Sequence, residues 1–197
     1  DQYDSIMNYA FTKLCLDYFA TETKDAKQAA WKLNELLMRN TDAVNNMMLN
    51  LLDSHDTHRF FKEVGKDRFK MKAALALLFM YKGAPCIFYG TETLTYGGYD
   101  PDCRRCMDWE NAKEDGIYSD IYELLQKLSS IRQKYNLADG SIHICEESDV
   151  LVVENATEDG EFKLLINNTK KSQKVGNEEI GSKSFCIFLN GGVVVNG

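Results

Sequence analysis

Short apolar segments alternate with amphipathic helical segments over the first 136 residues, and this alternation constrains the fold more than any other feature. Three apolar blocks, at 4–9, 47–52 and 86–89, are too short for helices and are predicted to be buried strands. Apolar residues recur at helical spacing in four further segments: 11–20, 27–39, 68–81 and 121–135. Strands that are apolar throughout are typical of a sheet covered on both faces, so the pattern predicts a parallel sheet or a (β/α) barrel.

The pattern changes near Leu137, where helical spacing disappears. Turn-forming Asn, Asp, Gly and Ser residues separate five strand-like segments: 142–145, 150–153, 162–166, 185–189 and 193–195. The sequence therefore predicts two domains of different class. An α/β domain spans 1–136, and a small all-β domain spans 137–197.

The α/β part provides only three strand–helix units. A closed barrel of this class needs about eight of them. Three strands leave two open edges, which folded proteins usually cover or pair. The sequence thus predicts an incomplete barrel, and it predicts homo-oligomers that form through the open barrel edges.

Charge and cysteine content narrow the partners and the compartment. The formal net charge of −7 repels phosphate backbones and anionic lipid, so neither nucleic acid nor a membrane is expected as a partner. A neutral sugar is compatible with this charge. Cys86 and Cys186 lie inside apolar runs, where a thiol acts as a small buried apolar group. Reduced cysteines of this kind indicate a cytoplasmic protein.

A polar cluster at 53–59 directly follows the second predicted strand. At the carboxyl ends of barrel strands such groups face the active-site mouth, where His55 and Asp56 are placed to bind vicinal sugar hydroxyls. The alternative is that Asp56 or Thr57 caps the next helix. His55 and His58 have a spacing that can bind metal, but a third ligand is missing. We therefore predict no metal site and no cofactor.

Two more clusters follow, at 83–92 and 97–109. The first reads as a helix stop, a strand and a turn, with Glu92 in a structural role. The second contains Cys103 and Cys106 in a CxxC pattern, but zinc ribbons need a second pair, and thioredoxin-type motifs open a helix. Its Asp and Arg residues are better explained as ion pairs that brace a loop. Some of these side chains are expected to reach substrate hydroxyls as well.

Four blocks occur in a specific order along the chain: DQYDSIMNY at 1–9, NLLDSHD at 50–56, GAPCIFYGTE at 83–92 and GGYDPDCRRCMDW at 97–109. Together they resemble glycoside hydrolase family 13, the α-amylase family, and most closely its neopullulanase, cyclomaltodextrinase and maltogenic amylase branch. The resemblance implies strands six to eight of a (β/α)8 TIM barrel with their helices. An antiparallel C-terminal β-sandwich is implied after them.

The same resemblance implies roles for four residues. Asp56 is similar to the third essential carboxylate of the family, which stabilises the transition state, and His55 is similar to its neighbour, which contacts substrate hydroxyls. Asp100 and Arg104 resemble a loop pair that binds the glucan. Thr91 departs from the family pattern, which commonly has Asp before Glu92.

Retaining glycosidases need a nucleophile and a general acid, and the resemblance places both on strands four and five, upstream of the part seen here. The chain alone is therefore predicted to be inactive. Its parent is predicted to cleave α-1,4 or α-1,6 bonds in maltooligosaccharides, cyclodextrins or pullulan. Two alternatives remain: a non-catalytic carbohydrate-binding protein that uses Tyr96, Tyr99 and Trp109, and a structural or redox protein built on the CxxC.

Overall fold

The computed structural model describes residues 5–112 and 116–197. The first predicted strand, at 4–9, lies partly outside this range. Within it, Met7 forms a single parallel bridge to Leu49. The chain then turns helical because the side chain of Asn8 accepts a hydrogen bond from the Phe11 amide (3.2 Å) and so caps a helix. A longer strand here was a wrong prediction.

Six α-helices are found in the described residues: α1 (Tyr9–Cys15), α2 (Ala26–Met38), α3 (Asp42–Met47), α4 (Phe60–Glu63), α5 (Arg68–Met80) and α6 (Ser119–Lys134). A π-helical turn, Leu16–Ala20, continues α1, and Asp102–Arg104 forms a 3-10 turn. Helix α2 begins at a reciprocal pair of hydrogen bonds between Asp25 and Gln28. Helix α5 begins at a single capping hydrogen bond, in which the carboxylate of Asp67 accepts from the Lys70 amide (3.1 Å). No helix of the described part of the chain combines the length and apolar character that crossing a bilayer requires.

Strands β1 (Leu49–Leu51) and β2 (Ala84–Cys86) pair in parallel. Buried Asn50 joins this pair to the chain before α1, because its Nδ2 donates to the Lys82 carbonyl (2.6 Å) and its Oδ1 accepts from Asn8 (2.8 Å). Gly83, with φ +101°, lies so close to β1 that a Cβ would sit 2.5 Å from the Met48 carbonyl oxygen. Polar contacts of Asn50 and the close approach of Gly83 thus add to the pairing of these neighbouring segments.

The predicted all-β region forms a five-stranded antiparallel sheet in the order β3-β4-β5-β8-β9. Its strands are β3 (Ser141–Glu147), β4 (Val150–Thr157), β5 (Gly160–Asn167), β8 (Ser184–Leu189) and β9 (Gly192–Asn196). A hairpin of β6 (Gln173–Val175) and β7 (Glu178–Ile180) covers one face. Its side chains Val175 and Ile180 pack on Val150 and Val152, which makes the second layer of the sandwich.

The other face of this sheet packs on the helices of the partial barrel. Leu151 and Val153 of β4 share one apolar core with residues of α2 and α5. Buried Asn155 adds hydrogen bonds to the Met80 carbonyl (3.3 Å) and the Leu137 carbonyl (3.0 Å). The division between residues 136 and 137 stays a prediction, and the apolar core runs across it without a break.

Candidate functional site

The predicted site residues His55 and Asp56 lie in the turn that follows β1. Their side chains are 52% and 63% exposed, and His55 Nε2 lies 3.2 Å from Asp56 Oδ2. The turn is held by Ser54, whose Oγ accepts from the Asp56 amide (3.2 Å) and whose amide donates to Thr57 Oγ1 (2.9 Å). Tyr9 of α1 adds a hydroxyl contact to Ser54 (3.3 Å). The backbone therefore fixes both side chains at the strand end while leaving their polar atoms open to solvent.

Neither Asp56 nor Thr57 caps the following helix, so the capping alternative is wrong. Helix α4 starts after Arg59, which provides no side-chain cap. The amide of Phe60 instead donates to Asp53 Oδ2 (2.8 Å). Because Asp53 takes the helix amide, the Asp56 carboxylate remains free for other partners.

The loop at 97–105 brings the other two predicted residues to the same place. Arg104 Nε lies 2.7 Å from Asp100 Oδ1, and Arg104 Nη2 lies 3.6 Å from Asp56 Oδ1. Arg104 Nε also donates to the His55 carbonyl (3.3 Å). All four predicted site residues thus form one solvent-facing row of contacts, in the order His55, Asp56, Arg104, Asp100.

A second ion pair braces this loop, as the sequence predicted. Asp102 accepts from the Gly98 amide (2.5 Å) and from Arg105 Nε (2.8 Å). The hydrogen bond from the Gly98 amide, followed by that from the Arg105 side chain, holds the pKa of Asp102 below its usual value. Gly97 is required here, since a Cβ would lie 2.3 Å from the Asp102 carbonyl oxygen.

Arg59 lies beneath the site and is only 1% exposed. Its Nε donates to the Cys103 carbonyl and its Nη1 to the Tyr89 carbonyl, each at 2.7 Å. Its guanidinium carbon sits 4.0 Å from the centre of the Phe88 ring, a cation–π contact. Arg59 therefore connects the segment after β1, the segment after β2 and the loop at 97–105.

Asp53 is the buried carboxyl nearest to this arginine along the chain. Burial raises its pKa to about 6, against the opposing effects of the Phe60 amide and the positive charge of Arg59. Sequence reasoning assigned no role to Asp53 or Arg59. Their signal was weak, because both stand in a polar run that resembles a solvated loop.

The remaining candidates of the sequence analysis have other partners. His58 Nδ1 lies 2.5 Å from Glu63 Oε1, and its ring centre is 3.8 Å from that of Tyr99. The thiol of buried Cys103 donates to the His55 carbonyl (3.1 Å), whereas Cys106 is exposed, and both are free thiols. Across residues 5–112 and 116–197 no three His, Cys, Asp or Glu side chains are grouped to hold a metal ion.

The sequence and the fold of this chain are similar to those of known proteins. Residues 1–141 match the family model described as "Alpha amylase, catalytic domain". A cyclomaltodextrinase of Thermoanaerobacter pseudethanolicus is 43% identical over 134 residues, covering 68% of this chain and 23% of that protein. An intracellular maltogenic amylase of Bacillus subtilis is 40% identical over 136 residues, covering 69% and 23%. The chain thus spans about a quarter of the length of these relatives.

A solved structure with the same fold is that of cyclic α-maltosyl-(1→6)-maltose hydrolase from Arthrobacter globiformis. It superposes with a TM-score of 0.87 at 24% identity, covering 96% of this chain and 45% of that one. The predicted fold, a partial (β/α)8 barrel followed by a β-sandwich, is confirmed. The resemblance to the branch of cyclomaltodextrinases and maltogenic amylases is confirmed as well.

Proposed function

This chain belongs to the α-amylase catalytic-domain family, and from that premise we propose that it forms one wall of the glucan-binding cleft of a retaining α-glucan hydrolase. The observation that carries the proposal is the exposed row His55, Asp56, Arg104 and Asp100 at the end of β1. A carboxylate and a guanidinium in contact present acceptors and donors side by side, which suits paired sugar hydroxyls.

Each residue has a distinct role in this proposal. Asp56 accepts hydrogen bonds from hydroxyls of the sugar at the cleavage point and stabilises the transition state, and His55 contacts the same hydroxyls. Arg104 and Asp100 bind the neighbouring glucose unit. The substrates of the whole protein are maltooligosaccharides, cyclodextrins or pullulan, joined by α-1,4 or α-1,6 bonds.

The chain by itself does not turn over glucan. Retaining cleavage needs two carboxyl groups about 5 Å apart, one of which attacks while the other donates a proton. In the described site Asp56 and Asp100 both contact Arg104, an arrangement for holding substrate, and the family resemblance gives neither the role of nucleophile or acid. Turnover of maltotriose by the pure chain that disappears in Asp56→Asn would contradict this.

Calorimetric titration with maltotriose and with β-cyclodextrin tests the binding role. We expect binding that is weakened at least about tenfold in Asp56→Ala and in Arg104→Ala, because each removes a charge-assisted hydrogen-bond partner. The control is Arg39→Ala, an exposed arginine directly after α2 that pairs with Glu35, and it should leave binding unchanged. Unweakened binding in both site variants would show that the sugar sits elsewhere. Binding without turnover would also fit a non-catalytic carbohydrate-binding protein. An activity assay of the full-length protein distinguishes the two, because only a hydrolase turns glucan over.

We also propose that the chain self-associates through its open barrel edges. The side chains of Ile6, Leu49 and Tyr89 are exposed near the parallel pair, and a groove of about 670 Å³ beside β2 is lined by Ile87, Glu92 and residues of α6. A monomer in light scattering at high concentration would contradict self-association.

The proposed location is the cytoplasm. All six cysteines are free thiols, as reducing compartments favour, and one relative is named an intracellular maltogenic amylase. Fractionation of the source cells, followed by detection of this chain, tests the location. Recovery outside the cytoplasm would contradict it.

A further inference from the structure

We propose that Arg59 is a positioning residue that holds the loop at 97–105 against the end of β1, so that Arg104 and Asp100 face Asp56. The effect on sugar binding rests on the proposed function, whereas the attachment of the loop rests only on the contacts of Arg59. Arg59 touches none of the four site side chains in the contacts described above. It acts through the backbone that carries them.

The contacts of Arg59 reach three segments at once. Nε binds the carbonyl of Cys103, the residue before Arg104, and Nη1 binds the carbonyl of Tyr89 after β2. The Arg59 amide donates to the Gly97 carbonyl (3.0 Å), at the start of the loop. Arg59 therefore holds the loop near both of its ends.

A guanidinium suits this task and an ammonium does not. Its nitrogens point in fixed directions within one plane, so Nε and Nη1 reach two carbonyls on different segments at the same time. Lysine keeps the positive charge but concentrates its donors on one atom. It cannot reproduce both contacts in the geometry observed.

Burying a charged side chain is unfavourable, so packing alone is a poor explanation for an arginine at position 59. A buried cation loses its hydration, and an apolar side chain of similar size commonly serves stability as well or better. Here the Phe88 ring, the Tyr89 ring at 4.9 Å and the negative charge of Asp53 offset that loss. The surroundings are thus arranged to keep a cation beneath the loop.

The loop has weaker attachments besides Arg59. The Cys103 thiol, a weak donor, reaches the His55 carbonyl, and the Tyr89 hydroxyl donates to the Arg105 carbonyl (2.9 Å) on the exposed side. Removing Arg59 should therefore let the loop open locally while the fold persists.

Thiol labelling tests this directly, because Cys103 in the loop and Cys15 in α1 are both fully buried. In Arg59→Lys and Arg59→Met we expect Cys103 to be alkylated at least about tenfold faster, with Cys15 changed by less than about twofold, since local opening exposes only the loop. The control Arg39→Lys should change neither rate. Equal acceleration at both cysteines, or none at Cys103, would overturn the proposal. If Arg59→Met does not fold, Arg59→Lys carries the test.

Sugar affinity gives the second measurement. We expect Arg59→Lys to weaken maltotriose binding about tenfold, and to weaken it less than about twofold when added to Arg104→Ala, because the two residues act through one loop. An equal loss in both backgrounds would overturn the positioning role. If the unsubstituted chain binds no maltotriose, the proposed function fails, and Cys103 labelling still decides the role of Arg59.

Discussion

The five-stranded sheet and the parallel pair β1–β2 are stabilised in different ways. In the sheet, β3, β4 and β5 pair with their sequence neighbours, and apolar layers cover both faces. In the parallel pair, each strand has three residues, and the buried polar side chains Asn50, Asp53 and Arg59 connect the surrounding segments. Apolar packing thus stabilises the sheet, whereas directed hydrogen bonds add to apolar packing around the parallel pair.

This difference predicts that stability and the proposed sugar binding can be changed separately. The apolar core that β4 and β5 share with α2 and α5 extends through both regions, so damage to it should unfold the chain as a unit. The site side chains lie outside that core and are largely exposed. Changing them should alter binding with little effect on the fold.

The largest expected effect is on the shared core. Phe162→Ala in β5 should lower the free energy of unfolding by about 3–5 kcal/mol, because it removes a fully buried ring and leaves a cavity. The ring also packs edge-on against Tyr135, with centroids 5.0 Å apart. Chemical denaturation measures the change.

Val193→Ala in β9 is the matched control, since that side chain is 56% exposed and should change stability by less than about 0.5 kcal/mol. If Phe162→Ala melts the sheet and leaves the helices folded, as judged by residue-level hydrogen exchange, the sheet and the helices do not share one cooperative core.

The next effect concerns Asp53 and pH. Its folded-state pKa is raised from 3.8 to about 6, so the folded chain keeps a proton that the unfolded chain has already released between those pH values. Stability from this group is therefore present below pH 3.8 and is lost as pH rises towards about 6, by up to about 3 kcal/mol.

Asp53→Asn should remove this slope while keeping an oxygen for the Phe60 amide. Urea denaturation across the pH range, compared with the exposed control Asp159→Asn, measures the difference. An unchanged slope in Asp53→Asn would mean that the Asp53 carboxyl ionises alike in both states.

An intermediate effect on stability is expected where the five-stranded sheet packs on the helices. Asn155→Ala removes the donor to the Met80 and Leu137 carbonyls, and buried acceptors left without a donor cost about 1–3 kcal/mol. Exposed Asn177→Ala serves as the control. A loss as small as that of the control would show that the apolar contacts alone join sheet and helices.

The smallest effect on stability is expected at Asp56. Its contacts to His55 and Arg104 are exposed ion pairs, so Asp56→Asn should change the free energy of unfolding by less than about 0.5 kcal/mol. The melting temperature of Asp56→Asn checks its stability, and a sugar titration of the same variant checks its binding. Strong destabilisation would mean that the site also supports the fold.

Regular elements with a clear period were predictable from the sequence. Helices α2, α5 and α6 and the five strands of the large sheet lie close to their predicted segments. The short elements α3, α4, β6 and β7 were missed, because three to six residues carry too little periodic signal. β2 lies at Ala84–Cys86, ahead of the predicted 86–89, because the extent of a strand is set by its pairing with β1.

The candidate site was predictable where it faces solvent and not where it is buried. The resemblance assigned His55, Asp56, Asp100 and Arg104 to glucan binding, and the four side chains lie together. Their roles stay predictions. Asp53 and Arg59 were not recognised. Burial of a charged residue depends on which distant segments cover it, here those of Phe60, Tyr89 and Cys103.

The two side-chain hydrogen bonds of Arg59 go to main-chain carbonyls, and every amino acid supplies that group. The loop can therefore exchange its outward side chains, such as Tyr99, without losing its attachment. If the loop lines the proposed glucan cleft, point substitutions there can change which glucan binds while the attachment stays, and a loop of equal length from a relative can be transplanted onto the same arginine.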